Sequence, residues 1–250
     1  MTPALCNALE PDCPTTHSQP EASRIGLRLL ACVGGLDEHV AEPAAARVAS
    51  VLTSEGAVPL CLPGVSGYPR AAWWKPTDPL VADITPIGGI VAVLRKADVD
   101  AQGLLRAEQW CYDEHDRQRA AGEPVTQYHA HSMAELCSHA ADAARAQALL
   151  DDLRERLAGG TVIPLDPAVR PEPDTHTPLD LAPTPDHPLR SCFDDRVINA
   201  FLDRLEADQQ PDGCWPIDWP APGDTAVWEW RRQRTLEALE TLRAYDRLHP

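Results

Sequence analysis

Gln209-Gln210-Pro211-Asp212-Gly213-Cys214-Trp215-Pro216 is the stretch around which the rest of the chain is organised. Pro-Asp and Asp-Gly pairs favour turns, because Gly adopts positive φ and Asp bonds to its own backbone. The segment before this octet carries one apolar stripe at the helical period, made of Phe193, Val197, Ile198, Phe201, Leu202 and Leu205. We therefore predict a turn between two helices, with Ser191 and Asp194 capping the first helix.

The same pattern occurs a second time, around Gly56. In both copies an acidic residue directly precedes the Gly, and Pro residues stand three and seven positions after it. Trp73 and Trp230 each follow the Gly by seventeen positions. Matched spacing of turn and packing residues indicates an internal repeat. We predict that residues 48–73 and 205–230 superpose, as a unit of helix, turn, Pro/Trp loop and helix.

The octet resembles the repeat marker of the terpenoid cyclases and protein prenyltransferases, a family of α/α toroids. Short actinobacterial prenyltransferase-like or squalene-cyclase-like proteins also carry segments similar to residues 68–74, 178–183, 193–195 and 212–248. The resemblance covers nearly the whole chain. It implies an all-α fold, an α/α toroid in which helical hairpins surround a central axis.

One domain is predicted over residues 1–250, with an irregular segment at 1–20 and Pro-rich loops near 57–80, 164–188 and 211–224. Residues 7–12 resemble the part of the family that directly follows the first turn, and Leu5 and Cys6 stand in the last two places of that turn. This predicts a chain truncated inside its first repeat and allows an incomplete ring. Such an edge would expose an apolar strip and favour self-association. The strip would include Ile25, Leu29 and Leu30, and Leu236, Leu239 and Leu242 of the C-terminal helix.

Charge and hydropathy narrow the class of protein. Lys and Arg total 22 against 38 Asp and Glu, a formal net charge of −16. This charge argues against binding to nucleic acid or to an anionic membrane surface. The chain has no apolar run of the roughly 20 residues that cross a membrane and no basic, apolar leader, so we expect a cytoplasmic protein. Eight dispersed Cys residues without a Cys-x-x-Cys pair predict free thiols.

The resemblance implies catalytic motifs that this sequence carries only in part. Cyclases that protonate an alkene use Asp-x-Asp-Asp, which does not occur here. The candidate catalytic acids are Asp194, Asp195 and Asp212; for the first two the alternative role is to oppose the macrodipole at a helix N-terminus. Asp212-Gly213-Cys214 resembles the Asp-x-Cys zinc ligands of protein prenyltransferases, but the one downstream His is the penultimate residue, His249. We expect no zinc there.

Two further clusters contain the residue types that form metal sites. Asp151-Asp152-x-x-Glu155 resembles a magnesium motif, but Arg154 and Arg156 are expected to pair with its carboxylates. His129, His131, Cys137 and His139 lie at spacings that do not converge on one helical face, and we expect this face to be exposed. The sequence thus predicts neither a metal nor a cofactor.

Aromatic side chains are the predicted ligand-binding residues: Tyr68, Trp73, Trp74, Trp228 and Trp230. In an isoprenoid-binding toroid such rings line the central cavity and stabilise carbocations, whereas Trp215 is expected to pack under its turn. The function implied is that of a prenyltransferase or a terpene or squalene cyclase, with an isoprenoid or related lipid in that cavity. The alternative is a non-catalytic binding or interaction scaffold. A buried acid in the cavity would distinguish the two, and both stay open at this point.

Overall fold

The computed structural model describes residues 10–13, 15, 17–99, 102–169 and 175–248. Across these residues the chain contains helices, turns and irregular segments but no β-strand, which confirms the all-α prediction. The helices are α1 (Pro20–Cys32), α2 (Glu38–Ser50), α3 (Ile84–Lys96), α4 (Gln102–Ala120), α5 (Gln127–Cys137), α6 (Ala143–Leu157), α7 (Pro178–Leu181), α8 (Asp195–Ala207) and α9 (Asp224–Ala244). The predicted truncation within residues 1–9 lies outside the described residues, as does His249.

Contacts between residues divide the chain into two compact units, Met1–Gln147 and Ala148–Pro250. Helices α1 to α5 belong to the first unit and α7 to α9 to the second, while α6 begins in one and ends in the other. The toroid arrangement and the single domain over residues 1–250 stay predictions.

Helix α3 forms the centre of the first unit, where α1, α4 and α5 all pack against it. Its sequence is apolar nearly all round, and Ile87, Ile90 and Leu94 are fully buried. Gly88 allows α5 to approach closely, because a Cβ there would lie 2.2 Å from the carbonyl oxygen of Ser132. The Ser132 hydroxyl accepts from the Gly88 N–H at 3.1 Å and donates to the Ile84 carbonyl at 2.5 Å. Close packing and this hydrogen bonding lock α3 and α5 together.

The second unit is built around the hairpin of α8 and α9, with α7 packed on α8. Thr177 and Asp180 form a capping box on α7, and Arg234 of α9 pairs with Asp180 at 3.0 Å. Burial alone would raise the pKa of Asp180, but Arg234, His176 and the hydrogen bonds from Thr177 lower it to about 2. The Tyr245 hydroxyl donates to the Ala182 carbonyl at 2.9 Å. The predicted family segment 178–183 therefore ties α7 to the C-terminal end of α9.

Both copies of the predicted turn have the same hydrogen bonds. The Gly56 N–H donates to the Thr53 carbonyl at 3.1 Å and the Gly213 N–H to the Gln210 carbonyl at 2.8 Å. In the opposite direction, the Thr53 N–H donates to the Ala57 carbonyl and the Gln210 N–H to the Cys214 carbonyl. Both glycines have positive φ, 107° and 82° respectively. The two copies of the repeat therefore share the hydrogen-bond pattern of the turn.

The match ends shortly after the turn. Helix α9 begins at Asp224, whereas the first copy continues as a long loop until α3 begins at Ile84. Trp73 therefore lies in a loop and Trp230 lies inside a helix. The predicted order of helix, turn, Pro/Trp loop and helix is present in both copies. The prediction that residues 48–73 and 205–230 superpose is wrong beyond the turn, because the shared spacing of Pro and Trp does not fix where the next helix begins.

The predicted apolar strip is exposed only in part. Ile25 and Leu242 are buried at 4% and 2% exposure, while Leu236 and Leu239 are exposed. Within the described residues, no helix combines the length and the apolar character needed to cross a membrane.

Candidate binding pocket in the loop before helix α3

The long loop between α2 and α3 is held in shape by the side chain of Arg70. Its guanidinium donates to three backbone carbonyls, those of Trp74 at 2.8 Å and of Val65 and Tyr68 at 3.2 Å each. A short 3-10 helix, Pro63–Gly67, precedes these residues. A planar group with several fixed donors is suited to fastening a loop in this way. Arg70 therefore positions Tyr68 and Trp74 relative to each other.

The segment before α1 packs against this loop and is hydrogen-bonded to it. The Ala71 N–H donates to the Asp12 carbonyl at 2.9 Å, and the Leu62 N–H donates to the Gln19 side chain at 2.7 Å. The Thr15 hydroxyl donates to the Gly64 carbonyl at 3.3 Å. One buried cluster joins the segment to the loop, made of Cys13, Cys61, Val65, Ala71 and Trp74. The described residues before α1 form no helix or strand, and they are packed into the core.

A pocket of about 380 Å³ opens on this loop. It is lined by Tyr68, Arg70, Ala71, Ala72, Trp74 and Lys75. Its size lies near the lower end of the range for small-molecule pockets, about 300 to 1,000 Å³. Both charged side chains of the lining are cations, in a chain whose formal net charge is −16. The pocket therefore combines an aromatic and apolar wall with a local positive charge.

Three of the predicted ligand-binding residues lie in this loop. Tyr68 is half-buried, with its ring edge-on to His17 at 6.1 Å, and Trp74 is buried at 3% exposure. Both line the pocket, whereas the neighbouring Trp73 is 48% exposed and does not. The indole N–H of Trp74 has no acceptor among the residues that the structure describes. A buried donor without an acceptor is costly.

Trp228 and Trp230, the other two predicted ligand-binding residues, belong to the second unit. Trp228 is 59% exposed, with the Arg231 guanidinium 5.1 Å from its ring centre. Trp230 packs edge-on against Trp219 at 5.2 Å. Trp215 is buried at 4% exposure, and its indole N–H donates to the Leu205 carbonyl at 2.7 Å. Its predicted position under the turn is confirmed.

Glu10 is a buried acid that the sequence analysis did not single out. Its side chain is only 5% exposed, and burial, followed by the charges of Glu21 and Asp12, raises its pKa to about 8. It therefore carries a proton at neutral pH. It lies on the segment behind the pocket but does not line it. No sequence signal marks it, because Glu-Pro-Asp is a typical composition for an exposed turn.

Two of the three candidate catalytic acids, Asp195 and Asp212, have structural partners. Asp195 begins α8 and pairs with Arg190 at 2.5 Å, whereas the side chain of Asp194, at the N-cap, makes no capping bond. Asp194 is therefore not the side-chain cap that was predicted, and Ser191 instead accepts from Arg154 at 2.9 Å. Asp212 accepts from the Cys214 N–H and pairs with Arg231 at 2.8 Å, and this hydrogen bond to Arg231 lowers its pKa. These contacts stabilise a helix start and a turn.

The two clusters that resembled metal sites in the sequence make contacts within the protein instead. Asp151 pairs with Arg154 and Asp152 with Arg156, as expected. The prediction of an exposed face is wrong for His129, which is 3% exposed and hydrogen-bonds to His115 at 2.9 Å, because this face of α5 turns into the unit. Among the described residues, no three His, Cys, Asp or Glu side chains come together as a metal site. The seven described Cys residues are free thiols.

Comparison with protein-family models, with curated proteins and with solved structures finds no match for this chain. The functional argument therefore depends on the pocket and its chemistry.

Proposed function

We propose that this protein binds an isoprenoid or related lipid with an anionic head group, such as a prenyl diphosphate, in the pocket between Tyr68 and Lys75. The observation that carries the proposal is the composition of the lining. Tyr68 and Trp74 offer apolar ring surface, and Lys75 is an exposed ammonium group beside them. An amphipathic anion satisfies both features at once.

The charge of the rest of the chain supports the choice of an anion. In a protein of net charge −16, a pocket whose charged residues are all cations is a local exception. Arg70 is committed to three carbonyls of the loop, so Lys75 is the group that is able to move toward a head group. Ammonium groups bind phosphate as compact point charges, and this contact does not require a preformed fork.

Calorimetric titration with farnesyl diphosphate, farnesol and inorganic pyrophosphate tests the proposal. Farnesyl diphosphate should bind more tightly than either of its parts, because only the intact molecule uses the aromatic wall and the cation together. Lys75→Glu should weaken its binding by roughly tenfold or more, since the change replaces an attraction with a repulsion. Tyr68→Ala should weaken farnesol and farnesyl diphosphate but leave pyrophosphate unchanged.

The chain supplies a matched control, because its other lysine is Lys96, at the end of α3. Lys96→Glu makes the same change in charge away from the pocket and should leave the affinity unchanged. Equal affinities of the Lys75→Glu and wild-type proteins would contradict the proposal. No binding of any of the three molecules would favour the alternative of an interaction scaffold.

Mass analysis of the recovered ligand addresses catalysis in the same samples. Binding alone predicts that farnesyl diphosphate is recovered intact. A shorter or cyclised product would instead assign the chain to the enzymes that its sequence resembles.

A further inference from the structure

We propose that the solvent-facing side of α9 is a surface through which two copies of this chain associate. The inference is independent of the lipid pocket, which lies in the other unit of the chain. Three large apolar side chains of α9 are exposed: Trp228 at 59%, Leu236 at 47% and Leu239 at 37%. Elsewhere in the described residues, no helix carries more than one exposed large apolar side chain.

These three side chains form one stripe. At 100° of rotation for each residue they fall within an arc of about 80°. The opposite side of α9 is buried in its own unit through Ala226, Ala238, Thr241 and Leu242. The helix therefore has an apolar surface on both sides, although one apolar side is enough to pack a helix onto its domain. Single exposed apolar residues are ordinary, but an aligned set of this kind marks an interaction surface.

The charges beside the stripe identify a second copy as the partner. Arg232 lies four residues before Leu236 and Glu240 four residues after it. Glu229 and Arg243 lie seven residues before and after Leu236, with the opposite order of sign. In an antiparallel pair of α9 helices with Leu236 at the two-fold axis, Arg232 lies level with Glu240 of the second copy, and Arg243 lies level with Glu229. Self-complementarity of this kind is the property that a two-fold interface requires.

The size of the surface predicts a weak association. Helix α9 has 21 residues, which gives a length of about 30 Å. One helix face buries less than the roughly 800 Å² that each partner contributes to a standard interface. We therefore expect a dimer that forms with a dissociation constant in the micromolar range and not an obligate one.

Sedimentation velocity of the full chain, over about 1 to 300 µM, tests the inference. The wild-type chain should shift from monomer to dimer across this range. Arg232→Glu and Glu240→Arg, each alone, should raise the dissociation constant by roughly tenfold, because each places like charges level with each other at both ends of the pair. The double variant Arg232→Glu/Glu240→Arg restores opposite charges and should restore association.

The control is Val33→Glu, which charges an exposed apolar residue at the C-cap of α1. It should leave the dissociation constant unchanged. Because all three positions are exposed, the variants should keep the wild-type melting temperature. A chain that stays monomeric across the whole range would overturn the inference. So would a double variant that associates no better than the single ones, or a loss of association in Val33→Glu alone.

Discussion

The two copies of the turn share every backbone hydrogen bond between the residue three before the Gly and the residue after it, yet they serve different purposes. After Gly213 the chain enters α9 at Asp224, eleven residues later, and the Trp215 indole is bonded to Leu205 of α8. After Gly56 a long loop follows, fastened by Arg70 and by the segment before α1. The short motif around each Gly thus determines the turn. The length of the loop that follows it decides whether that loop has room to form a pocket.

The largest expected difference between the two copies concerns the residue two positions after each Gly. Trp215 and Val58 are both buried, at 4% and 0% exposure. Trp215→Ala should lower the free energy of unfolding by about 3 to 5 kcal/mol, since it leaves a large cavity and removes the hydrogen bond to Leu205. Val58→Ala should cost about 2 kcal/mol, because it removes two carbons only. Urea unfolding measures both values.

Trp228→Ala is the control for this pair, because the same change at a side chain that is 59% exposed should cost less than about 0.5 kcal/mol. Equal losses at Trp215 and Trp228 would show that the second turn is not held by the buried indole.

Glu10, on the segment packed against the pocket loop, should make the free energy of unfolding depend on pH. Its pKa is about 8 in the folded chain, against an ordinary value of 4.5. Between these two values the folded chain keeps a proton that the unfolded chain has lost. The free energy of unfolding should therefore fall as pH rises from about 4.5 to about 8 and then level off. Glu10→Gln should remove this fall, and at pH 7 it should exceed the wild type by roughly 3 kcal/mol.

Thermal melts from pH 4 to pH 9 measure the effect, with Glu42→Gln as a control at an exposed position. The control should follow the wild-type curve. An unchanged pH slope in Glu10→Gln would mean that Glu10 is ionised in the folded chain.

The smallest expected effect compares the two glycines themselves. A Cβ at Gly213 would meet nothing within 4 Å, whereas one at Gly56 would lie 2.9 Å from Nε of Arg106. Both positions have positive φ, so each Ala substitution should cost about 1 kcal/mol from backbone strain. Gly56→Ala should cost roughly 1 kcal/mol more, because the Arg106 side chain has to move. Equal losses in urea unfolding would show that the surroundings of the two turns do not differ in this respect.

The sequence predicted the features that local chemistry controls. Pro-Asp-Gly and Glu-Gly determine turns within a few residues, and the stripe of Phe201 and Leu202 predicts a buried helix face. Contacts between distant residues gave no signal of this kind. Nothing near Arg70 indicates that it bonds three carbonyls, and nothing near Glu10 indicates that the segment packs into the core. The aromatic residues were named as candidates, but their spacing in sequence did not reveal that Tyr68 and Trp74 line a pocket while Trp228 is exposed on a helix.

Lysine-specific acetylation followed by peptide mass analysis connects the pocket to its proposed ligand without any substitution. The chain has two lysines, Lys75 in the pocket and Lys96 at the end of α3, so one sample contains both the probe and its control. With farnesyl diphosphate present, acetylation of Lys75 should slow by roughly tenfold while Lys96 reacts at its original rate, because only Lys75 would contact the head group. Equal rates at Lys75 with and without the ligand, at a concentration that saturates binding in calorimetry, would contradict the assignment of this pocket.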